Sequence, residues 1–435
     1  MSKIKMVYDW CGPLLPIVNN KINPDFIFKT VLDNTKNITF PSYGHYPGPS
    51  ILMFKDMEII PSFALKDNDT FIYPITNPES NGIISGFEKD NINTFFNGGR
   101  DILKDTNISD NILNRIRNGN GYLMMQMTGE SCITDYHIKI VHSYFNEYQI
   151  PLNKIIYYIS SVNAKELYKD YCDKNEIRYR MTVEVIEWFD YMAGVYIEDY
   201  GHLLPKNKDY SKIEKTFLCY NNRWRSHRAC LYTIFYKRNL LEHSYFSMSD
   251  ESGFIYESWA DFWYSKKNGR DGGEVIGHRL DVHYRDIWHL SEQLPLVIDP
   301  ISDNATKTML ILPESSNLHH KSLISVVTET NFISNDVFIT EKTWKPIGNK
   351  HPFIIVGPYH SLYYLKQKGY KTFSDFFDES YDNMTDPAER LLRIGELCSE
   401  INDWSDTKKQ EFYNQTESIT KHNFELLQLA KLGYK

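Results

Sequence analysis

The stretch Val337-Phe338-Ile339-Thr340-Glu341-Lys342-Thr343-Trp344-Lys345-Pro346 runs from apolar residues through a hydroxyl residue to an acid and a base side by side. If Phe338 and Ile339 close an extended segment, Thr340 suits a helix N-cap, because its hydroxyl can accept a hydrogen bond from a first-turn N–H. Glu341 and Lys342 then fall in the first turn. The unpaired N–H groups and the dipole of such a helix start favour an anion. Pro346 makes the helix short or kinked, since it cannot donate and crowds the preceding turn. An extended run passing at once into a helix is how a parallel sheet covered by helices is punctuated, and the rest of the chain repeats it.

Short apolar runs alternate with amphipathic stretches over most of the sequence, so the expected fold class is α/β. In the first half, 121–127 reads as a strand ending at the turn Thr128-Gly129-Glu130-Ser131. A helix over 135–147, a strand over 155–160 and a helix over 163–173 complete a βαβα unit. Around 203–210 the chain turns polar and aperiodic. That divides it into an N-terminal domain, 1–205, a C-terminal domain, 206–405, and a helical tail, 406–435. The second domain repeats the pattern with a strand over 215–220, a loop over 221–225 and a helix over 226–237 capped by Ser226. Strands over 322–328 and 351–357 follow, then a helix over 361–368 stopped by Gly369. Residues 387–432 are mostly helical. Between about 246 and 318 the pattern is irregular, with Asn268-Gly269-Arg270-Asp271-Gly272-Gly273 read as a loop, and this region is taken as an insertion.

Composition narrows the function classes. A chain of 435 residues exceeds one ordinary core and points to two domains. The net charge of −8 disfavours nonspecific nucleic-acid binding, which needs a basic surface. No segment approaches the roughly 18 apolar residues of a membrane span, and no N-terminal run has the order of a signal peptide, so the expected location is the cytoplasm. Cys11, Cys132, Cys172, Cys219, Cys230 and Cys398 show no CxxC and no metal-type spacing, which reads as free thiols.

Two junctions carry the candidate chemistry. At the first, Lys342 can place a full positive charge on a phosphate and Glu341 can accept from two neighbouring hydroxyls, such as those of a ribose. The bland alternative is an ordinary first-turn acid beside a solvated lysine. At the second, Phe217-Leu218-Cys219-Tyr220-Asn221-Asn222-Arg223-Trp224-Arg225-Ser226-His227-Arg228 again runs strand, polar loop and helix start, now with three arginines. Arginine suits a diphosphate because its planar fork donates two parallel hydrogen bonds. A basic run on a solvated helix face is the alternative there. Together they point to a nucleotide diphosphate at the carboxyl ends of a parallel sheet. No GxxxxGK[ST] and no GxGxxG opening a helix accompanies them, which weighs against a P-loop phosphotransferase and a dinucleotide enzyme. The one DxD-like element, Asp67-Asn68-Asp69, lies in a polar turn, and no metal site is expected.

Glu329-Thr330-Asn331, then Phe338-Ile339-Thr340-Glu341-Lys342-Thr343-Trp344-Lys345, then His351-Pro352-Phe353-Ile354-Ile355-Val356-Gly357 resemble the donor-binding motif of the α-1,3-fucosyltransferase family. In that family an E-N-[ST] segment precedes [YF]-[VI]-T-E-K and a buried strand ending in Gly. The resemblance covers about a quarter of the chain. It implies a GT-B architecture, two Rossmann-like α/β domains facing a cleft, and an inverting transfer from a nucleotide sugar. It places Asn331, Phe338, Thr340, Glu341 and Lys342 in the donor site, with Glu341 on the ribose and Lys342 on the diphosphate. Arg228, with Arg223 beside it, supplies the second cation. Thr128-Gly129-Glu130-Ser131 is similar to the family's Gly-Glu-Asn turn, which makes Glu130 the base that takes the proton from the acceptor hydroxyl. This sequence departs from the family at Pro346, where the helix usually continues, and in the longer stretch between Arg228 and Glu341.

The expected function is therefore an inverting, metal-independent glycosyltransferase. Its co-substrate is a GDP- or UDP-linked sugar, with no other cofactor, and its acceptor is a glycan reachable from the cytoplasm, a host's if the chain is virus-encoded. Two alternatives stay open. A hydroxymethylated base in virus DNA is one, with aromatic-rich loops and Arg270, Arg279 and Arg285 as local cations. A carbohydrate-binding protein that keeps the fold without turnover is the other. The sugar is not specified by the motif.

Overall fold

The computed structural model describes residues 4–8, 17, 18, 21, 22, 58–76, 103, 108–127, 133–187, 189, 190, 193, 194, 197, 209–221, 225–248, 293, 296, 298, 318–333 and 336–430. The chain forms two compact units, Met1–Trp188 with Tyr434–Lys435, and Phe189–Gly433.

The first unit contains β1 (Lys5–Tyr8), a small hairpin of β2 (Ile17–Val18) and β3 (Lys21–Ile22), β4 (Glu58–Pro61) and β5 (Phe71–Thr76). There follow α1 (Asp110–Asn118), β6 (Gly121–Met127), α2 (Asp135–Glu147), β7 (Ile155–Ile159), α3 (Ala164–Lys174) and β8 (Thr182–Val185). Six strands make one sheet in the order β4-β1-β5-β6-β7-β8, and every pairing in it is parallel. Alternation within the apolar runs gives each face its own cluster. Phe71, Tyr73, Leu123, Met125, Ile155 and Tyr157 join Ile112, Ile116, Val141, Phe145 and Tyr168 of the helices on one face. Ile72, Met124 and Tyr158 lie on the other with Ile186. Both faces being covered explains why β6 and β7 read as continuous apolar runs rather than as alternating ones. Thr134 caps α2 by accepting from the His137 N–H at 3.1 Å. Two buried histidines of α2 end on tyrosine hydroxyls, His137 Nε2 on Tyr157 at 2.7 Å and His142 Nε2 on Tyr168 at 3.1 Å.

The second unit contains β9 (Lys215–Cys219), α4 (Ser226–Lys237), β10 (Ser244–Phe246), β11 (Ser322–Thr328), α5 (Glu341–Gly348), β12 (Phe353–Val356), α6 (Ser361–Gln367), α7 (Pro387–Asn402), α8 (Asp406–Gln415) and α9 (Glu417–Leu429). Its sheet runs β10-β9-β11-β12, again wholly parallel. Every residue of β11 is buried. Gly369 ends α6 with φ 90°, a left-handed position that glycine adopts without strain. The expected α/β class with parallel sheets is thus what the chain forms. In each sheet the first strand has its next two partners on opposite sides, β4 and β5 about β1, β10 and β11 about β9. That reversal is a topological switch point, where ligands of open parallel sheets bind at the carboxyl ends.

Two local readings are revised. Arg225, not Ser226, is the N-cap of α4: its backbone is extended and its carbonyl accepts from Arg228 N–H at 3.0 Å and Ala229 N–H at 3.1 Å. Val337 to Thr340 are buried yet belong to no strand, so α5 follows a loop from β11. The helical tail packs within the second unit, where Phe412 meets Phe373 and Phe376 and Asn423 takes both backbone groups of Lys371 at 2.8 Å. Residues 431–435, most of the stretch at 203–210 and nearly all of 246–318 lie outside the described residues. The two compact units divide at Trp188 and Phe189. Phe189 packs on Phe338 at 5.8 Å and Asp190 binds Lys368 at 2.7 Å, contacts that tie this segment to the second unit. Among the described residues no helix is long and apolar enough to cross a membrane.

Candidate functional site

The second unit's switch point lies between the carboxyl ends of β9 and β11. Beyond β9 the chain reaches Asn221, which is buried. Its Oδ1 accepts from the Thr328 hydroxyl at 2.5 Å, and its Nδ2 donates to Cys219 Sγ at 3.2 Å, so one amide ties the two strand ends together. Beyond β11 comes Glu329, fully buried, a costly place for a carboxylate unless donors meet it. Three do. Its Oε1 accepts from the Thr340 N–H at 3.2 Å and the Thr343 hydroxyl at 2.5 Å, and its Oε2 from the Thr340 hydroxyl at 2.5 Å. Glu329 therefore fastens the start of α5 to the sheet and places negative charge at a helix N-terminus, where the dipole favours it.

Thr340 caps α5 as its sequence position predicts, accepting from the Lys342 N–H at 3.4 Å. Glu341 and Lys342 are left at the rim, with side chains 18% and 23% exposed. Lys342 Nζ donates to Glu341 Oε1 at 2.7 Å, Thr330 Oγ1 at 3.2 Å and Thr340 Oγ1 at 3.3 Å. Burial pushes the Glu341 carboxyl up, but the charges of Lys342 and Lys345 outweigh it, and its pKa falls below the ordinary value. It is therefore ionised at neutral pH and able to accept from hydroxyls.

The loop from β11 to α5 is braced from both sides. His227 of α4 bonds the Glu329 carbonyl through Nε2 at 2.9 Å, and its ring stacks on Phe332 at 5.3 Å. Burial, with the charge of Arg228 adding to it, holds His227 well below its usual pKa, so the ring is neutral. A carbonyl only accepts, which puts the proton on Nε2. Over the same phenyl ring lies the guanidinium of Arg390 from α7, 4.6 Å from the centroid, donating to the carbonyls of Phe332 and Met384. Burial lowers Arg390 to about 10, with Asp382 and Asp386 opposing.

The structure thus gathers Asn331, Phe338, Thr340, Glu341, Lys342 and Arg228 around one junction and gives them different work. Phe338 is fully buried core, and Thr340 is a cap with its hydroxyl engaged. Arg228 is buried too and directs one nitrogen to the carbonyls of Thr328 at 3.2 Å and Glu329 at 3.5 Å. Asn331 is half-buried, and its Nδ2 is buried and donates no hydrogen bond among the described residues. Glu130 and Arg223 lie outside the described residues, as do Arg270, Arg279 and Arg285. Asp69 of the DxD-like element takes Lys5 Nζ and the Lys66 N–H, each at 2.9 Å. Four cysteines, Cys172, Cys219, Cys230 and Cys398, are free and buried, and Cys11 and Cys132 are not described. Sequence reasoning missed Glu329 as the clamp, His227 and Arg390. Glu329 stood in the quoted motif and His227 beside Arg228, whereas nothing in Pro387-Ala388-Glu389-Arg390 signals a residue that reaches Phe332.

No protein-family model and no curated protein matches the chain. Among solved structures, the N-terminal domain of the Candida albicans trehalose-6-phosphate phosphatase is similar at 10% identity, over 83% of this chain and 69% of that one, with a TM-score of 0.38. A likeness of that degree carries no argument about activity.

Proposed function

We propose that the protein is an inverting, metal-independent glycosyltransferase of the two-domain GT-B arrangement that uses a GDP- or UDP-linked sugar and transfers it to a glycan hydroxyl. The observation that carries this reading is the start of α5. A capped helix N-terminus at a switch point leaves one carboxylate and one ammonium at its rim. A diphosphate competes with Glu341 for Lys342, and a Glu341 so released accepts from the ribose hydroxyls. As the acceptor oxygen bonds to the anomeric carbon, the bond from that carbon to the diphosphate breaks. Its electron pair leaves on the nucleoside diphosphate, whose charge Lys342 and the helix dipole stabilise. Glu130 takes the acceptor proton, the role of a general base in a single displacement. The resemblance around Thr340-Glu341-Lys342 supports the reaction type and leaves the sugar open.

A thermal-shift screen against UDP, GDP, CMP and their sugars names the donor, because a ligand raises stability only as it binds the folded state. In transfer assays with the donor so found, Glu130→Gln keeps nucleotide binding and abolishes transfer. Full transfer by Glu130→Gln removes Glu130 from its role. Donor binding without transfer or hydrolysis across a broad acceptor panel replaces the enzyme with a binding protein.

A further inference from the structure

Immediately beyond β12, at the same carboxyl edge, come Gly357-Pro358-Tyr359-His360 and the first turn of α6. The His360 ring lies 4.5 Å from that of Tyr359 and 5.4 Å from that of Tyr363, tilted by 49° and 45°. Three rings joined through one of them normally belong to a core. Here Tyr363 is 55% exposed, His360 is exposed and Tyr359 is half-buried.

Their backbone is fixed. His360 has φ 67° and ψ 15°, the left-handed region that a residue with a Cβ seldom adopts. Its N–H donates to the Asp382 carbonyl at 2.7 Å, and the buried Asp382 carboxylate accepts from the N–H groups of Leu362 at 2.8 Å and Tyr363 at 2.9 Å. Backbone held in a sparsely populated conformation persists where its surroundings over-determine it, and such places concentrate at binding sites. The segment also adjoins the clamp of α5. Glu329 N–H donates to the Val356 carbonyl at 2.9 Å, and a Cβ on Gly357 would lie 3.5 Å from that of Glu329 and 3.1 Å from Ser361 Oγ. The shelf and the clamp therefore follow the ends of neighbouring strands, which lie ~5 Å apart.

We propose that Tyr359, His360 and Tyr363 form a stacking shelf for the base of a nucleotide held at the start of α5. The proposal rests on the nucleotide reading of that junction. In this arrangement the diphosphate meets Lys342, the ribose meets Glu341, and the base reaches the rings that follow β12, the strand paired with β11. Aromatic side chains stack on any base, because every base has a π-face, so the shelf adds affinity without choosing purine or pyrimidine.

Isothermal titration of the full chain with inorganic pyrophosphate, GDP and UDP tests it. Tyr363→Ala removes an exposed ring, and His360→Gly removes the second while suiting the left-handed backbone. Each is expected to weaken GDP and UDP by roughly 5-fold or more, the effect of losing a stacked aromatic, with pyrophosphate binding unchanged. Tyr363→Phe keeps the affinity. The shelf is overturned if the double variant binds GDP and UDP as the parent does, if pyrophosphate weakens equally, or if the parent binds both nucleotides no tighter than pyrophosphate. A parent that binds none of the three overturns the nucleotide reading of α5 and the shelf with it. Lys342→Ala separates the two, because it weakens pyrophosphate and nucleotides alike.

Discussion

The two parallel sheets follow one plan and put these polar networks at opposite ends of it. In the first unit Lys5, at the start of β1, meets Asp69, just ahead of β5, and Arg115 donates to the carbonyls of Lys66, Asp67 and Asp69 at 3.0 to 3.2 Å. That cluster stands at the amino edge, the side on which parallel sheets do not bind ligands. In the second unit Glu329, His227, Arg228 and Arg390 converge on the carboxyl ends of β9 and β11. A charge at the amino edge closes a turn. At the carboxyl edge a fully buried carboxylate secures a loop that presents Glu341 and Lys342. What distinguishes the two is the edge on which the polar network is assembled.

The contrast breaks most readily at Glu329. Glu329→Ala leaves two hydroxyls and an N–H at a buried site without their acceptor and should lower stability by about 3–5 kcal/mol, read from urea unfolding. A loss below about 1 kcal/mol would mean that Thr340 caps α5 without help. Acid tests the buried histidines. Burial lowers both His137 and His142 to about 4, whereas the unfolded chain titrates near 6.5. The unfolded state therefore binds more protons, so the contribution is complete above about pH 6.5 and declines as pH falls toward about 4, by up to about 1.4 kcal/mol per pH unit for each histidine. Unfolding midpoints that stay level from pH 7 to pH 5 would contradict this. Arg115→Ala should cost about 1–2 kcal/mol and leave nucleotide affinity as it was, because it acts at the amino edge. Any change in affinity would erase the division of labour between edges. Lys342→Ala should do the reverse, weakening nucleotide binding about 10-fold with stability within about 0.5 kcal/mol. Calorimetric titration and a thermal melt measure the pair.

The elements were legible where apolar periodicity was strong. Gly121–Met127, Asp135–Glu147 and Ser322–Thr328 stand where period and turn residues put them. The cap of α4 was misread because Ser226 has a capping side chain, while extended backbone at Arg225 is set by how the loop leaves β9. In the candidate site, Thr340, Glu341 and Lys342 were legible from local capping chemistry. Phe338 was assigned to the ligand and belongs to the core, since a motif records which residues occur together and not which way each points.

The sequence by itself determined the α/β class and the identity of α5 as a capped, short helix carrying an acid and a base, because both depend on residues within a few positions of one another. Only the tertiary structure decided that Glu329 is the clamp, that Arg390 and His227 grip Phe332 from two helices, and that the end of β12, ahead of the three rings, adjoins Glu329. Those contacts join residues from 11 to 102 positions apart. They form where strand order brings loop ends together, and no local pattern encodes that order.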